Sequence, residues 1–112
     1  MKLYSYFQSS SSYRVRIALS VKKVKYDIES INIVNGEQRE SDYLEKNKQG
    51  LVPALEPDTG EILTQSSAIT EFLDDAFPEI PLIPKDKLLA AKARALGSII
   101  NNEIQPLNNL RV

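Results

Sequence analysis

The sequence predicts an α/β domain over residues 1–80, followed by a linker and a helical segment over residues 81–112. Three observations support this division. Short stretches typical of strands alternate with stretches of helical periodicity in the first part of the chain. Three prolines, Pro78, Pro81 and Pro84, then mark a stiff linker. Beyond them, apolar residues recur at helical spacing on one face.

The first elements follow from residue type and period. Lys2 to Tyr6 predicts a strand, since its aromatic and leucine side chains suit a pleated surface. A loop from Phe7 to Ser12 leads to a helix from Tyr13 to Lys23, which carries a broad apolar arc. Tyr26 to Ile33 alternates as a strand does, and Glu37 to Asn47 indicates a weak, polar helix.

The next elements complete a recognisable order. Apolar runs at Leu51–Glu56 and Ile62–Thr64 flank a turn sequence and predict a β-hairpin. A helix capped by Ser66 or Ser67 then extends through Phe77. The resulting order, β-α-β-α-β-β-α, is thioredoxin-like, and its first βαβ unit should be a parallel crossover.

The last predicted helix runs from Leu88 to Leu107, and Pro106 should kink or end it. Its apolar face lacks a later helix to cover it, so we expect cover by a partner chain, by further helices or by domain swapping, unless part of the face packs on the first and third helices. The residues of this apolar stripe are Leu89, Ala93, Leu96, Ile100, Ile104 and Leu107.

Composition excludes several classes of site. The 112 residues are 42% hydrophobic and 26% charged, with a net charge of −1, and no basic stripe or long apolar run favours nucleic acid or a membrane as partner. The start does not resemble a secretory signal, so the expected location is cytoplasmic.

The absence of Cys and His excludes disulfides, Cys/His zinc sites and Ser-His-Asp catalysis, and no metal is expected. Thiol chemistry would therefore need a thiol from another molecule.

Four serines, Ser9 to Ser12, directly precede the first predicted helix. A helix N-terminus carries unpaired amides and partial positive charge, which stabilise an anion. A hydroxyl there cannot exchange disulfides, but it can donate a hydrogen bond to the thiolate of a ligand. The alternative is an ordinary N-cap in a flexible serine tract, and the sequence of this stretch alone favours neither.

Two further features could bind a ligand. Pro53 after Val52 fits an edge position or a cis peptide. We predict the cis peptide, because it would turn the Val52 backbone towards an extended peptide ligand. Gln65 and Ser66 lie between a strand and a helix, where a carboxylate would meet a second helix N-terminus. Each has a simpler structural explanation, a strand start and an N-cap. Together with the serines, they suit a small, doubly anionic peptide with a thiol, and glutathione is the obvious candidate.

Arg14 lies near the start of the first helix on its apolar side. A structural or intersubunit ion pair is the expected role, in preference to a catalytic one.

The segment SSSSYRVRIAL, Ser9 to Leu19, resembles the SSCSWRVRIAL signature of zeta-class glutathione transferases. Other segments agree with that family in order along essentially the whole chain. They are LYSYF before the signature, GLVPAL from Gly50, QSSAITEFL from Gln65, the proline-rich linker, and EIQPLNNL from Glu103.

The resemblance implies roles for individual residues. Ser9 matches the serine that holds or activates the glutathione thiol, Ser10 is its neighbour, and Ser11 stands where the family usually has Cys. Val52, which precedes Pro53, matches the residue whose backbone pairs with the cysteinyl unit of glutathione. Gln65 and Ser66 match the residues that bind the γ-glutamyl end, and Gln105 matches a residue near the active site.

The resemblance also implies a function, which is the glutathione-dependent cis-trans isomerisation of maleylacetoacetate to fumarylacetoacetate in phenylalanine and tyrosine breakdown. Glutathione would be the cofactor and the enzyme a cytoplasmic homodimer. The family continues with further helices, so this chain would be truncated after the first helix of an all-α C-terminal domain. Two alternatives stay open: zeta-like conjugation or dehalogenation of α-halo acids, and a non-catalytic interaction module of the same fold.

Overall fold

The computed structural model describes residues 1–108; residues 109–112, which include the last two residues of the EIQPLNNL segment, lie outside the described range. The elements, in chain order, are β1 Lys2–Ser5, α1 Ser10–Val21, β2 Asp27–Ser30, α2 Ser41–Lys46, β3 Ala54–Glu56, β4 Leu63–Thr64, α3 Ser66–Ala76 and α4 Lys87–Ser98. A 3-10 turn at Glu37–Arg39 precedes α2. After α4 the chain continues as a π-helical segment, Ile99–Ile104, and a 3-10 segment, Gln105–Asn108.

The four strands form one mixed sheet in the order β2-β1-β3-β4. β1 and β2 are parallel and are joined through α1, whereas β3 is antiparallel to both β1 and β4. The predicted α/β, thioredoxin-like order is therefore confirmed.

The core lies on both faces of this sheet because successive side chains of a strand point to opposite sides. Leu3 of β1 packs with residues of α1 and α3 in the larger cluster, while its neighbour Tyr4 packs with Tyr43 of α2 in the smaller one. This arrangement sandwiches the sheet between helices and brings the N-termini of α1 and α3 to the same end.

Several predicted boundaries shift. The helix α1 begins at Ser10, three residues before the predicted Tyr13, because Ser9 caps it by accepting a hydrogen bond from the Ser12 amide at 3.1 Å. The strand β2 is shorter than predicted, and each of its residues is exposed. The weak polar helix is interrupted at Glu40, whose extended backbone separates the 3-10 turn from α2.

The C-terminal segment is helical as predicted, but it is not one regular helix. Regular α-helix ends at Ser98, and the wider π-helical turns end just before the segment that contains Pro106. Proline has no amide hydrogen and its ring clashes with the carbonyl four residues earlier, which disfavours a regular helix here. Arg94 of α4 holds the segment to α3 through paired hydrogen bonds to Glu71 at 2.9 and 3.0 Å. Within residues 1–108, no helix is long and apolar enough to cross a membrane.

Candidate functional site

The N-termini of α1 and α3 meet at one point of the molecule. The Ser11 and Ser66 hydroxyl oxygens lie 3.3 Å apart, although 55 residues separate them in sequence. Ser11 also donates to Gln105 Oε1 at 3.2 Å, so the segment after α4 reaches the same point. The two positive helix ends therefore face a shared region, which favours an anionic ligand.

The two helix ends differ in how they are capped. Ser9 satisfies an amide of α1 with its own side chain, as described above. At α3 the cap position belongs to Gln65, whose φ of 69° is left-handed and whose side chain makes no capping bond. The sequence-based expectation that Ser66 or Ser67 caps this helix is wrong, because Ser66 is already its first residue. Within residues 1–108, the first-turn amides of α3 thus lack a side-chain cap, and Ser66 keeps its hydroxyl for other partners.

The Gln65 side chain instead donates to Gln49 Oε1 at 2.7 Å. This contact ties the start of α3 to the loop before β3.

Hydrogen bonds from Tyr43 and Asn47 support the strand edge that lies between the two helix N-termini. The Val52–Pro53 peptide is cis, as predicted, and Pro53 is buried while Val52 is half-buried. The Leu51 carbonyl accepts from the Tyr43 hydroxyl at 2.6 Å and from Asn47 Nδ2 at 2.8 Å. Burial raises the pKa of Tyr43 to about 12, so this phenol stays a hydrogen-bond donor at neutral pH.

Two adjoining cavities open on this edge. The smaller, of about 190 Å³, is lined by Ser11, Val52, Pro53, Gln65, Ser66 and Gln105 among others. The larger, of about 530 Å³, includes Ser9 and Ser10 in its lining. Both are lined by Gln49, Leu51, Val52 and Gln105, so they adjoin along this edge, and the two together are called the cleft below. All eight predicted site residues line it, and the three serines divide, with Ser11 at one end and Ser9 and Ser10 at the other.

Arg14 of α1 contacts Ser66, a residue that lines this cleft. Its Nη1 donates to Ser66 Oγ at 2.6 Å, and partial burial lowers the pKa of the guanidinium from its usual value. The expected structural ion pair of Arg14 does not occur within residues 1–108. An ion pair between subunits stays a prediction.

Several lining residues were missed by sequence reasoning. Gln38 and Arg39 line the larger cavity, and Asn47 lines the smaller. Gln38 is only 6% exposed and its Oε1 has no hydrogen-bond partner in the described chain. These residues lie in the segment predicted as a weak, polar helix, where a side chain that faces a ligand cannot be distinguished from one that faces solvent. No group of three or more acidic side chains that could hold a metal ion occurs within residues 1–108.

The chain combines a thioredoxin-like sheet, a cis-proline at a strand edge and two serine-bearing helix N-termini on one cleft. This combination is typical of one class of protein domain, the glutathione-binding half of a glutathione transferase. The profile of the family described as "Glutathione S-transferase, N-terminal domain" matches residues 1–75. The chain belongs to this family.

Similar proteins narrow the resemblance to the zeta class, since a zeta-class glutathione S-transferase of Euphorbia esula is 42% identical over 100% of this chain and 49% of its own length. The chain is 45% identical to maleylacetoacetate isomerase of Pseudomonas aeruginosa and 46% identical to that of Dictyostelium discoideum. These alignments cover 100% and 98% of this chain, but 54% and 51% of the two relatives. A maleylpyruvate isomerase of a Ralstonia species is 40% identical over 100% of this chain and 52% of its own length.

A maleylacetoacetate isomerase structure from Methylobacterium extorquens, with bound malonate and glutathione, superposes with a TM-score of 0.96 at 37% identity. The superposition covers 100% of this chain and 52% of that structure's chain. The predicted zeta-class resemblance is confirmed, and the chain spans about half the length of the relatives it matches.

Proposed function

We propose that the chain binds glutathione in the cleft between the N-termini of α1 and α3. The observation that carries the proposal is that the two adjoining cavities share the Val52 edge, so that their linings together reach from Ser66 to Ser9. Its size suits a tripeptide, and its two helix ends suit a ligand that carries anionic groups. Relatives of the same fold bind glutathione, which supports the assignment.

The direction of the bound peptide follows from the capping difference. The γ-glutamyl carboxylate belongs at α3, where the first-turn amides lack a side-chain cap and Ser66 offers a hydroxyl. The cysteinyl unit then lies along Val52 as an added strand, and its thiol reaches the α1 end near Ser9.

The third unit of the peptide extends into the larger cavity. Arg39 lines this cavity, and its exposed guanidinium makes no ion pair within residues 1–108. We assign it to the glycyl carboxylate. The unpartnered Oε1 of buried Gln38 is an acceptor for a peptide amide in the same place.

We propose that the full protein is an isomerase of maleylacetoacetate-like substrates that acts as a cytoplasmic homodimer. When bound, glutathione supplies a thiolate for reversible addition to a conjugated double bond, which can rotate before the thiolate leaves. The chain's task is to hold and stabilise that sulfur. The Ser9 oxygen accepts a hydrogen bond from the Ser12 amide, so the hydroxyl hydrogen of Ser9 remains free to donate to the thiolate. One unit of thiol pKa corresponds to about 1.4 kcal/mol, which one charge-assisted hydrogen bond can supply.

The relationship to a maleylpyruvate isomerase favours a second candidate substrate, maleylpyruvate, for the same chemistry. Rates with both compounds and with a small α-halo acid would separate the isomerase from the dehalogenase alternative. Glutathione binding with no turnover of any of them would favour the non-catalytic module for this chain.

Two measurements test the site itself. Calorimetry with glutathione should show a weaker affinity for Ser66→Ala than for Ser12→Ala, because Ser66 meets the ligand carboxylate whereas Ser12 is buried inside α1. An ultraviolet titration of the bound thiol should shift to higher pKa in Ser9→Ala. Equal affinities would remove the carboxylate assignment. A shift in Ser10→Ala or Ser11→Ala, but not in Ser9→Ala, would transfer the role to another serine.

A further inference from the structure

Arg14 is a partly buried cation for which residues 1–108 supply no carboxylate. Its Nη1 donates to the Ser66 hydroxyl at 2.6 Å, and it takes part in none of the ion pairs of the described chain. Removing a guanidinium from water is costly unless an anion compensates. The position of Arg14 beside the uncapped end of α3 therefore suggests that a ligand supplies the missing anion.

The neighbouring Arg16 shows the contrast. Its guanidinium donates to Ser5 Oγ at 2.9 Å and to the carbonyl oxygens of Tyr6 and Phe7 at 3.2 and 3.0 Å. These contacts brace the loop between β1 and α1, a structural role that accounts for Arg16. No comparable set of contacts within the described residues accounts for Arg14.

The direction of the hydrogen bonds gives Arg14 an effect on Ser66. A guanidinium only donates, so the Ser66 oxygen must accept from Arg14 and its hydrogen is left to donate elsewhere. The Ser11 hydroxyl donates its hydrogen to Gln105 Oε1. In the contact between the two serine hydroxyls, Ser66 is therefore the donor and Ser11 the acceptor. An arriving carboxylate is a better acceptor than a hydroxyl and can take the Ser66 hydrogen over.

We propose that Arg14 is a positioning residue that acts through Ser66. It directs the Ser66 hydrogen towards the cleft and supplies counter-charge for a carboxylate at the α3 end. The inference rests on the proposed binding of glutathione and adds a source of selectivity, since the site then discriminates a γ-glutamyl peptide with a free α-carboxylate from one in which this group is a neutral amide.

The test compares two ligands by calorimetry on the complete 112-residue chain. They are glutathione and glutathione amidated at the γ-glutamyl α-carboxylate. Arg14→Met should weaken glutathione binding about tenfold and leave the Kd of the amide analogue within about twofold. Lys92→Met is the control, since it removes an exposed α4 cation that makes no ion pair within residues 1–108, and it should leave the preference for the carboxylate unchanged.

A double-mutant cycle tests whether Arg14 acts through Ser66. In a Ser66→Ala background, Arg14→Met should change the Kd of glutathione less than in the wild-type background. Arg14→Lys keeps the charge but loses the planar fork, so it should retain part of the preference, and it also serves if Arg14→Met does not fold. Equal losses for both ligands, or an undiminished effect in Ser66→Ala, would overturn the inference. A wild-type chain that binds neither ligand would overturn the proposed function and this inference with it.

Discussion

The Lys22 ammonium donates to the Asp74 carboxylate at 2.7 Å, and it joins the end of α1 to α3 and to the linker beyond α3. The Lys22 side chain is fully buried, and its other donors meet the carbonyl oxygens of Phe77 and Ile80 at 2.8 and 2.9 Å. Asp74 in turn accepts from the amides of Leu82 and Ile83 at 2.7 and 3.0 Å. This one pair thus fixes the course of the chain from the sheet domain to α4.

Removal of the ammonium should destabilise the fold. Lys22→Met is expected to lower the free energy of unfolding by about 3 kcal/mol, because it leaves a largely buried carboxylate and two carbonyls without their cation. Urea denaturation measures the effect. Lys25→Met is the control, as Lys25 is exposed and makes no ion pair within residues 1–108, and it should cost little. Equal effects of the two changes would show that the buried pair contributes nothing specific.

The same pair predicts an acid dependence of stability. Burial of Asp74 acts to raise the pKa of its carboxyl, but hydrogen bonds from Lys22 and from the Leu82 and Ile83 amides outweigh it and hold that pKa below 3.8. A folded pKa below the unfolded value gives stability that is present above the unfolded pKa and lost as the pH falls through the folded one.

The stability difference between wild type and Asp74→Asn should therefore be largest at neutral pH and shrink as the pH falls below about 4. Denaturation curves at a series of pH values measure it. The exposed neighbour provides the control variant, Asp75→Asn, which should show no such convergence. A constant difference across the acid range would contradict the prediction.

A buried hydroxyl offers a stabilising change. Ser12 is fully buried in α1, and its Oγ has no hydrogen-bond partner within the described residues. Ser12→Ala should raise the free energy of unfolding by about 1 kcal/mol, because it removes an unsatisfied polar group and improves helix propensity. Ser20→Ala, on the exposed side of the same helix, should gain only the propensity, a few tenths of that. Destabilisation by Ser12→Ala would mean that the hydroxyl has a partner.

The support behind the Val52 edge can be weakened in steps. Tyr43→Phe removes one of two donors to the Leu51 carbonyl and should cost about 1 kcal/mol of stability, with weaker glutathione binding. Adding Asn47→Ala removes the second donor, so the double variant should lose more than the sum of the two single changes. Tyr13→Phe removes an exposed hydroxyl and is the control for both readouts. Additive losses would show that the two donors act independently.

The sequence predicted most of the fold because its elements depend on local patterns. The period of apolar residues located α1 and α3, and the Val52–Pro53 dipeptide in an extended run predicted the cis bond that the structure contains. The start of α1 was placed too late because a serine tract is equally compatible with a loop and with a capped first turn. Contacts between residues far apart in the sequence could not be predicted. The residues around Lys22 and Arg14 do not indicate that their partners are Asp74 and Ser66, each 52 residues further along the chain.

The helical segment after the linker leaves an apolar surface open. Its large side chains are 44% to 71% exposed, at Leu88, Leu89, Leu96, Ile99, Ile100, Ile104 and Leu107. At about 25 cal/mol per Å² of apolar area, covering such a surface is worth several kcal/mol. The relatives are about twice as long as the aligned region, so further helices are one possible cover in a full protein.

The 112-residue chain by itself should therefore self-associate and have little isomerase activity. Light scattering over a range of concentrations should show a rising mean mass, and the double variant Leu96→Lys, Ile100→Lys should reduce it by placing two charges within the apolar surface. Val21→Lys, at a half-exposed apolar position on α1, is the control and should associate like the wild type. The lysine variants should still bind glutathione, because Leu96 and Ile100 do not line the cleft. A stable, fully active monomer at all concentrations would show that this surface needs no cover and that residues 1–112 already complete the substrate pocket.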